Sequence, residues 1–527
     1  MKRRTLMAGA ASLGLAGSLG LARPAVGQGA RVLRFVPQGN LQNPDPIWTT
    51  TVIARNHGYV IWDTLYGLDA SLTPRPQMLA GHEISDDRLT WRLTLRDGLR
   101  FHDNEPVRAT DCVASIARWM RRDGFGQRLA AQMAEMRALD DRRLEIRLTR
   151  PFALLPYALG YNTCFIMPER IARTDAFQQI QEYVGSGPYR FVRDEWVSGS
   201  RAVYARFDGY VPRDEPASFT SGGKRAHFDR VEWVIMPDSA TAAAALQTGE
   251  VDWIEQPLAD LLPMLRKSPG VVVESVDLLG AVGIIRFNHL QPPFDNVKLR
   301  RAILPAVDQQ DYMAAVMGGE TALSRTGVGV FPIGTPLAND AGLAALTSPR
   351  DVALAKRLVA ESGYKGERVV LMAPTDFPVV NAIAQVTRSV YESVGLNVEY
   401  VSADWGTVVS RRNSKEPVEK GGWSTFCTYG DGLSYSNPAS HTTLFGNGTS
   451  GWYGWYTSPR MEALRGAWYD APDLETQRRI ARDIQLLVWE EVPYIPVGQW
   501  FQPIARRANL GGIVKSILPI FWNVQRA

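Results

Sequence analysis

Residues 368–401, RVVLMAPTDFPVVNAIAQVTRSVYESVGLNVEYV, contain two strand-like runs separated by one helical run. The runs over 368–372 and 396–401 read as strands, and 378–394 reads as the helix between them. A strand-helix-strand order of this length predicts a parallel α/β unit, because parallel neighbours need a crossover long enough to return over the sheet.

The alternation of helices and strands begins near residue 296. Ser348 followed by Pro349 marks a helix start, and that helix is expected to stop at Gly363. Two further helices are expected to begin near Ser458-Pro459 and Pro472-Asp473, ahead of a last strand over 494–500. Between 186 and 290 strand signals dominate, at 201–207, 228–236, 271–276 and 283–287. One alanine-rich helix runs there from Ser239 to a left-handed stop at Gly249.

Nearer the N-terminus, Leu89, Trp91, Leu93 and Leu95 alternate with Arg88, Thr90, Arg92, Thr94 and Arg96, the pattern of a half-buried strand. A polar turn through His102, Asp103 and Asn104 follows. Val113, Ile116, Ala117 and Met120 then recur at helical spacing, and Leu144, Ile146 and Leu148 alternate again. A compact α+β unit over about 70–180 is expected. With no repeat, low-complexity tract or long linker, the chain reads as lobes that it crosses between in short strands, and a cleft between lobes is the natural ligand site.

Lys2, Arg3 and Arg4 precede an uncharged run over 5–22, after which Arg23, Pro24, Ala25, Val26 and Gly27 provide a small-residue cleavage region. Removal near Gly27–Gln28 is expected, by a twin-arginine or Sec route, since Arg3-Arg4 resembles a twin-arginine signal. A retained anchor is the alternative. It is disfavoured because the run is built on Gly, Ala and Ser and barely reaches the roughly 20 residues of a membrane span. No cysteine lies near the cleavage region, which argues against a lipoprotein. The leader holds Lys2, Arg3, Arg4 and Arg23 and no acid, so the formal +4 of the whole chain falls to zero on cleavage, and no nucleic-acid partner is expected.

Signatures of chemistry are missing. The chain has no Gly-x-Ser-x-Gly elbow, no HExxH, no complete phosphate loop and no complete dinucleotide fingerprint. The six histidines are scattered singly, and Asp86-Asp87 and Asp140-Asp141 sit in turns ahead of strands. Cys112, Cys164 and Cys427 are too few and too far apart for a disulfide scaffold or a clustered zinc site. No cofactor, metal or catalysis is expected, and a secreted enzyme is the remote alternative. Residues 423–456 hold nine aromatics and six glycines in no helical or strand period. Those aromatics either line a pocket, where Tyr and Trp offer apolar area with a polar edge, or cover the core under an irregular loop.

Ordered motifs along the mature chain resemble the family-5 extracellular solute-binding proteins, the dipeptide- and oligopeptide-binding receptors of ABC importers. Pro76 to Ala80 with Ser85-Asp86-Asp87, and Arg96 to Asp103 with Glu105-Pro106-Val107, are similar to its signature segment. Gly185-Ser186-Gly187-Pro188-Tyr189, Leu246 to Asp252, and Phe287-Asn288 with Pro292-Pro293-Phe294-Asp295 are similar to its later blocks. Asn104 and Asn437 depart from the family's usual Gly and Asp.

The resemblance implies an α/β, two-lobed periplasmic binding protein of the large type II cluster with an extra α+β subdomain. The expected division is lobe I over 28–69, 185–285 and 497–527, the subdomain over 70–184, and lobe II over 286–496. It implies a monomer that captures a small organic solute in the interlobe cleft and delivers it to an inner-membrane ABC permease. By the same carry-over, Gln38, Asn40, Trp405, Tyr429 and Asp431 face the cleft. Asp431 is the carboxylate in position to hold a ligand ammonium, which favours a peptide or other amino-bearing solute; the alternative is a solvent-facing turn aspartate. A sugar, opine or chelated metal is the other ligand reading, motivated by the aromatic segment.

Overall fold

The structure, a computed structural model, describes residues 31–161, 163–471 and 473–527; the expected leader over 1–27 lies outside the described residues. Two large sheets organise the chain. The first has seven strands in the order Val271–Glu274, Ile504–Arg507, Trp253–Ile254, Val32–Val36, Arg230–Val234, Arg201–Arg206 and Tyr189–Phe191. Val32–Val36 runs parallel to both neighbours, with Val32 opposite Arg230 and Phe35 opposite Trp253. The Phe35 ring lies 5.1 Å from Trp253 and 4.9 Å from Phe521, both edge-on. Such aromatic packing draws the C-terminal tail back onto the first sheet.

The second sheet has six strands, ordered Ser324–Arg325, Tyr494–Trp500, Ala281–Phe287, Thr425–Asp431, Arg368–Pro374 and Asn397–Ala403. Helix Pro378–Ser393 carries the chain between the parallel pair Arg368–Pro374 and Asn397–Ala403. The unit expected over 368–401 is therefore present, with each end within two residues. The third sheet is antiparallel, in the order Leu79–Ile84, Thr90–Leu95, Arg143–Leu148, Met133–Ala138, and carries helix Ala109–Arg122. Trp91, Leu93 and Leu95 point inward as their alternation requires.

That helix buries Cys112, Ile116 and Trp119, whereas Ala117 is exposed. Arg118 turns in because Asp45 receives its guanidinium through two contacts, of 2.7 and 3.3 Å, with both side chains buried. A bidentate pair of this kind fixes a helix face that apolar periodicity alone does not. The chain is thus α/β and two-lobed, with an α+β subdomain.

Some expected edges differ. Residue 285 falls within Ala281–Phe287 and residue 496 within Tyr494–Trp500, both members of the second sheet, so the chain passes between the sheets in the short segments 275–280 and 501–503. The helix expected from Ser348-Pro349 is Val352–Glu361, because Asp351 supplies the cap, accepting from the Leu354 N–H at 2.8 Å. Tyr494–Trp500 is not the last strand, since Ile504–Arg507 follows it. Within 423–456 lies the strand Thr425–Asp431, which has almost every residue buried. With both faces covered, it shows no alternation to read.

Candidate functional site

A cavity of about 760 Å³ lies between the two large sheets. Gln38, Asn40, Trp405, Tyr429 and Asp431 all line it. The first sheet's side supplies the segment after Val32–Val36 and helix Val52–Ile61; the second supplies the end of Thr425–Asp431, helix Trp405–Arg411 and residues 445–455.

Asp431 ends its strand buried and is no solvent-facing turn residue. Its Oδ2 accepts from Arg55 Nη1 at 2.5 Å, and its Oδ1 accepts from the Ser434 N–H at 2.8 Å. Arg55 belongs to helix Val52–Ile61, so this ion pair spans the two lobes. Burial disfavours the Arg55 charge, but the adjacent carboxylate prevails and holds the guanidinium above its ordinary value. The charge of Asp431 is therefore already met within the chain, and a ligand ammonium is not needed to balance it.

A second interlobe contact lies alongside. The Tyr429 hydroxyl donates to Gln38 Oε1 at 2.5 Å, and Gln256 Nε2 donates to the same oxygen at 2.7 Å. Behind them the buried Glu255 accepts from the Gln38 N–H at 2.7 Å and from Asn56 Nδ2 at 3.1 Å. Burial outweighs these hydrogen bonds and the nearby Arg55 charge, and pushes the Glu255 carboxyl up to about 7. Asn40 is engaged locally, accepting from the Gly199 N–H at 2.7 Å. Trp405 begins its helix with its N–H donated to Asp376, and its ring packs edge-on against Phe377, which meets Tyr429 in the same way.

The aromatic segment divides between its two readings. Trp423 and Phe426 are fully buried in a small core with Val370 and Met372. Tyr429, Trp452, Tyr453 and Trp455 line the cavity. Tyr435 does both, stacking on His441 at 3.9 Å while bordering the cavity.

Sequence reasoning missed Arg55 and Arg412. The signal for Arg55 was available: Arg55, Asn56 and His57 form a polar triplet inside an apolar helix, and all three are buried. Arg412 gives no such signal, standing in a polar run after Arg411. It is nevertheless 3% exposed, with its guanidinium 4.2 Å from the Tyr453 ring, and burial lowers its pKa. Among the described residues, no group of three or more His, Cys, Asp or Glu could hold a metal.

Two α/β lobes facing each other across a solute-sized cavity define a two-lobed binding protein. The sequence model of bacterial extracellular solute-binding proteins, family 5 (middle), matches residues 73–452. This chain belongs to that family, the solute receptors of ABC importers, which are exported to the periplasm and serve a membrane permease. It is 37% identical over 490 residues to a probable peptide ABC transporter periplasmic-binding protein of Sinorhizobium fredii, covering 93% of this chain and 92% of the relative. It is 25% identical over 511 residues to the glutathione-binding protein GsiB of Salmonella typhi, covering 92% of each. Among solved structures it is similar to the A. tumefaciens R10 binding protein AgaA in complex with agropinic acid. There the TM-score is 0.79 at 20% identity, over 94% of this chain and 99% of the other. The Helicobacter pylori protein DppA in complex with a peptide matches at TM-score 0.79 and 19% identity, over 94% and 98%. Among the described residues, no helix is long and apolar enough to cross a membrane.

Proposed function

We propose that this chain captures a short peptide in the cavity between its two large sheets, holds it there by lobe closure, and presents the closed form to its permease. The observation that carries this reading is the pairing of a cavity of about 760 Å³ with contacts that join the lobes at its wall, Arg55 to Asp431 and Gln38 to Tyr429. A volume in this range suits a ligand of a few residues. A ligand drives closure only by binding the closed form better than the open one, and a wall assembled from both lobes offers that difference. The likeness to the S. fredii protein supports the peptide class.

In this reading Tyr429 and Gln38 form the closing edge, Trp405 gives an apolar wall, Asn40 shapes the mouth by holding the Gly199 loop, and Asp431 orients Arg55. The chain acts as a monomer and without catalysis. Its segment 1–27 is removed on export by the twin-arginine or Sec route, and it carries no lipid anchor. Calorimetric titration of the mature chain with di- to tetrapeptides, beside sugars, opines and chelated metals, tests the ligand class. Saturable binding of peptides supports the reading, and binding confined to the other classes overturns it.

A further inference from the structure

We propose that the cleft selects peptides bearing a second carboxylate, and that Arg412 is the residue that reads it. This rests on the peptide-receptor reading and narrows it. Five cations line the cavity, Arg55, Arg121, Arg122, Arg412 and Lys415, against two carboxylates, Asp123 and Asp431. Both carboxylates are engaged. Asp431 holds Arg55, and Asp123 caps helix Gly124–Ala130, accepting from the Phe125 and Gly126 N–H groups at 2.8 and 3.1 Å. The excess of positive charge therefore has no counterpart in the cavity wall.

Arg412 is the sharpest case. It is buried, and no carboxylate of the described residues contributes to its environment. Among the described residues its Nε has no partner, and its polar contacts are weak: Nη2 to Thr50 Oγ1 at 3.5 Å, at the limit of a hydrogen bond, and the neutral side chain of Tyr453. The faces of Tyr453, Trp405 and Trp452 lie 4.2, 6.0 and 6.0 Å from its guanidinium carbon. Aromatic faces hold a guanidinium in place but leave its in-plane N–H donors unmet, and those donors match a carboxylate. Arg55 repeats the pattern from the opposite lobe: Nη1 is used on Asp431, while Nε and Nη2 are buried without partners. A buried guanidinium with unmet donors is costly unless an anion completes it. One anionic group at each arginine would link the lobes through the ligand, which is how a solute favours the closed state. A peptide with a free C-terminus and one Asp or Glu side chain carries both groups.

The test needs no variant at first. The mature chain is titrated calorimetrically with Ala-Ala-Glu, its near-isostere Ala-Ala-Gln, and Ala-Ala-Glu amidated at the C-terminus. Ala-Ala-Glu is expected to bind about tenfold or more tightly than either comparison peptide, the effect of one charge-assisted hydrogen-bonded contact in a closed site. Arg412→Gln is expected to erase the Glu-over-Gln preference while the thermal melt stays cooperative. Raised ionic strength is expected to weaken Ala-Ala-Glu more than Ala-Ala-Gln. Equal binding of Glu and Gln peptides by the unaltered chain overturns the carboxylate inference while leaving the peptide receptor standing. If no peptide binds but non-peptide dicarboxylic acids bind in an Arg412-dependent way, the peptide reading falls and the role of Arg412 stands. Absence of binding by both classes overturns both.

Discussion

Arg55 of helix Val52–Ile61 and Asp431 of strand Thr425–Asp431, 376 residues apart in the chain, form a buried 2.5 Å ion pair that fastens one lobe to the other across the wall of the cleft. Removing one partner of a buried pair generally costs about 3–5 kcal/mol, because the other charge is left without compensation. Here the lobes offer an escape, since opening lets water reach the orphaned group. Asp431→Asn is therefore expected to populate the open form, seen as a larger radius of gyration by small-angle scattering, with a loss of global stability below that range. An unchanged radius of gyration together with the full stability loss would show that the pair acts as core rather than as a latch.

Arg118 and Asp45 provide the contrasting case. Their pair is buried inside the first lobe and its subdomain, and Asp45 also accepts the N–H groups of Ile47 and Ile180 at 3.0 Å. No lobe motion rehydrates it. Arg118→Met is expected to lower unfolding free energy by about 3–5 kcal/mol in urea titration. Ligand affinity at temperatures where the variant remains folded is expected to be unchanged.

Tyr429→Phe removes a single hydroxyl from the closing edge. Gln38 Oε1 keeps its bond from Gln256, so no buried acceptor is orphaned, and the expected loss of stability is about 1 kcal/mol or less. Because the lost bond joins the lobes only in the closed form, the effect is expected mainly as faster ligand release, with a several-fold rise in Kd measured by stopped-flow and calorimetry.

The architecture was legible where an element shows a clear period, or a short apolar run bounded by turn residues as in the fully buried Tyr494–Trp500. The 368–401 unit, the strand around Trp91 and the helix stopping at Gly249 all announce themselves through period and punctuation. Strand Thr425–Asp431 did not, because its covered faces show no alternation and Thr425, Thr428, Gly430 and Asp431 interrupt any continuous apolar run. The site was legible as a set of positions but not as electrostatics. Asp431 looked like a carboxylate awaiting a cation because its partner, Arg55, is far away in sequence, and pairing at that range is decided by the fold. The role of Arg118 was hidden for the same reason, its partner Asp45 being 73 residues upstream.

Glu255 gives the cleft wall a pH dependence whose sign follows from its environment. Burial raises its carboxyl from an ordinary 4.5 to about 7, so between those values the folded chain holds a proton that the unfolded chain releases. Stability from this group is complete below about pH 4.5 and falls as pH rises toward about 7, above which both states are ionised and the buried charge remains as a constant cost. The buried Asn56 Oδ1 lacks a partner beside it. With the Asn56 amide rotated, that oxygen accepts from the protonated carboxyl, a bond the ionised form cannot make. Glu255→Gln imitates the protonated form. It is expected to match the parent chain near pH 4.5 and to exceed it above about pH 7, by at least about 1.4 kcal/mol since the shift is more than one unit. Urea titrations across this range check the sign. A variant that is less stable than the parent above neutrality would mean that the carboxylate is favoured in place, and that its bonds from the Gln38 N–H and Asn56 together with the Arg55 charge outweigh its burial.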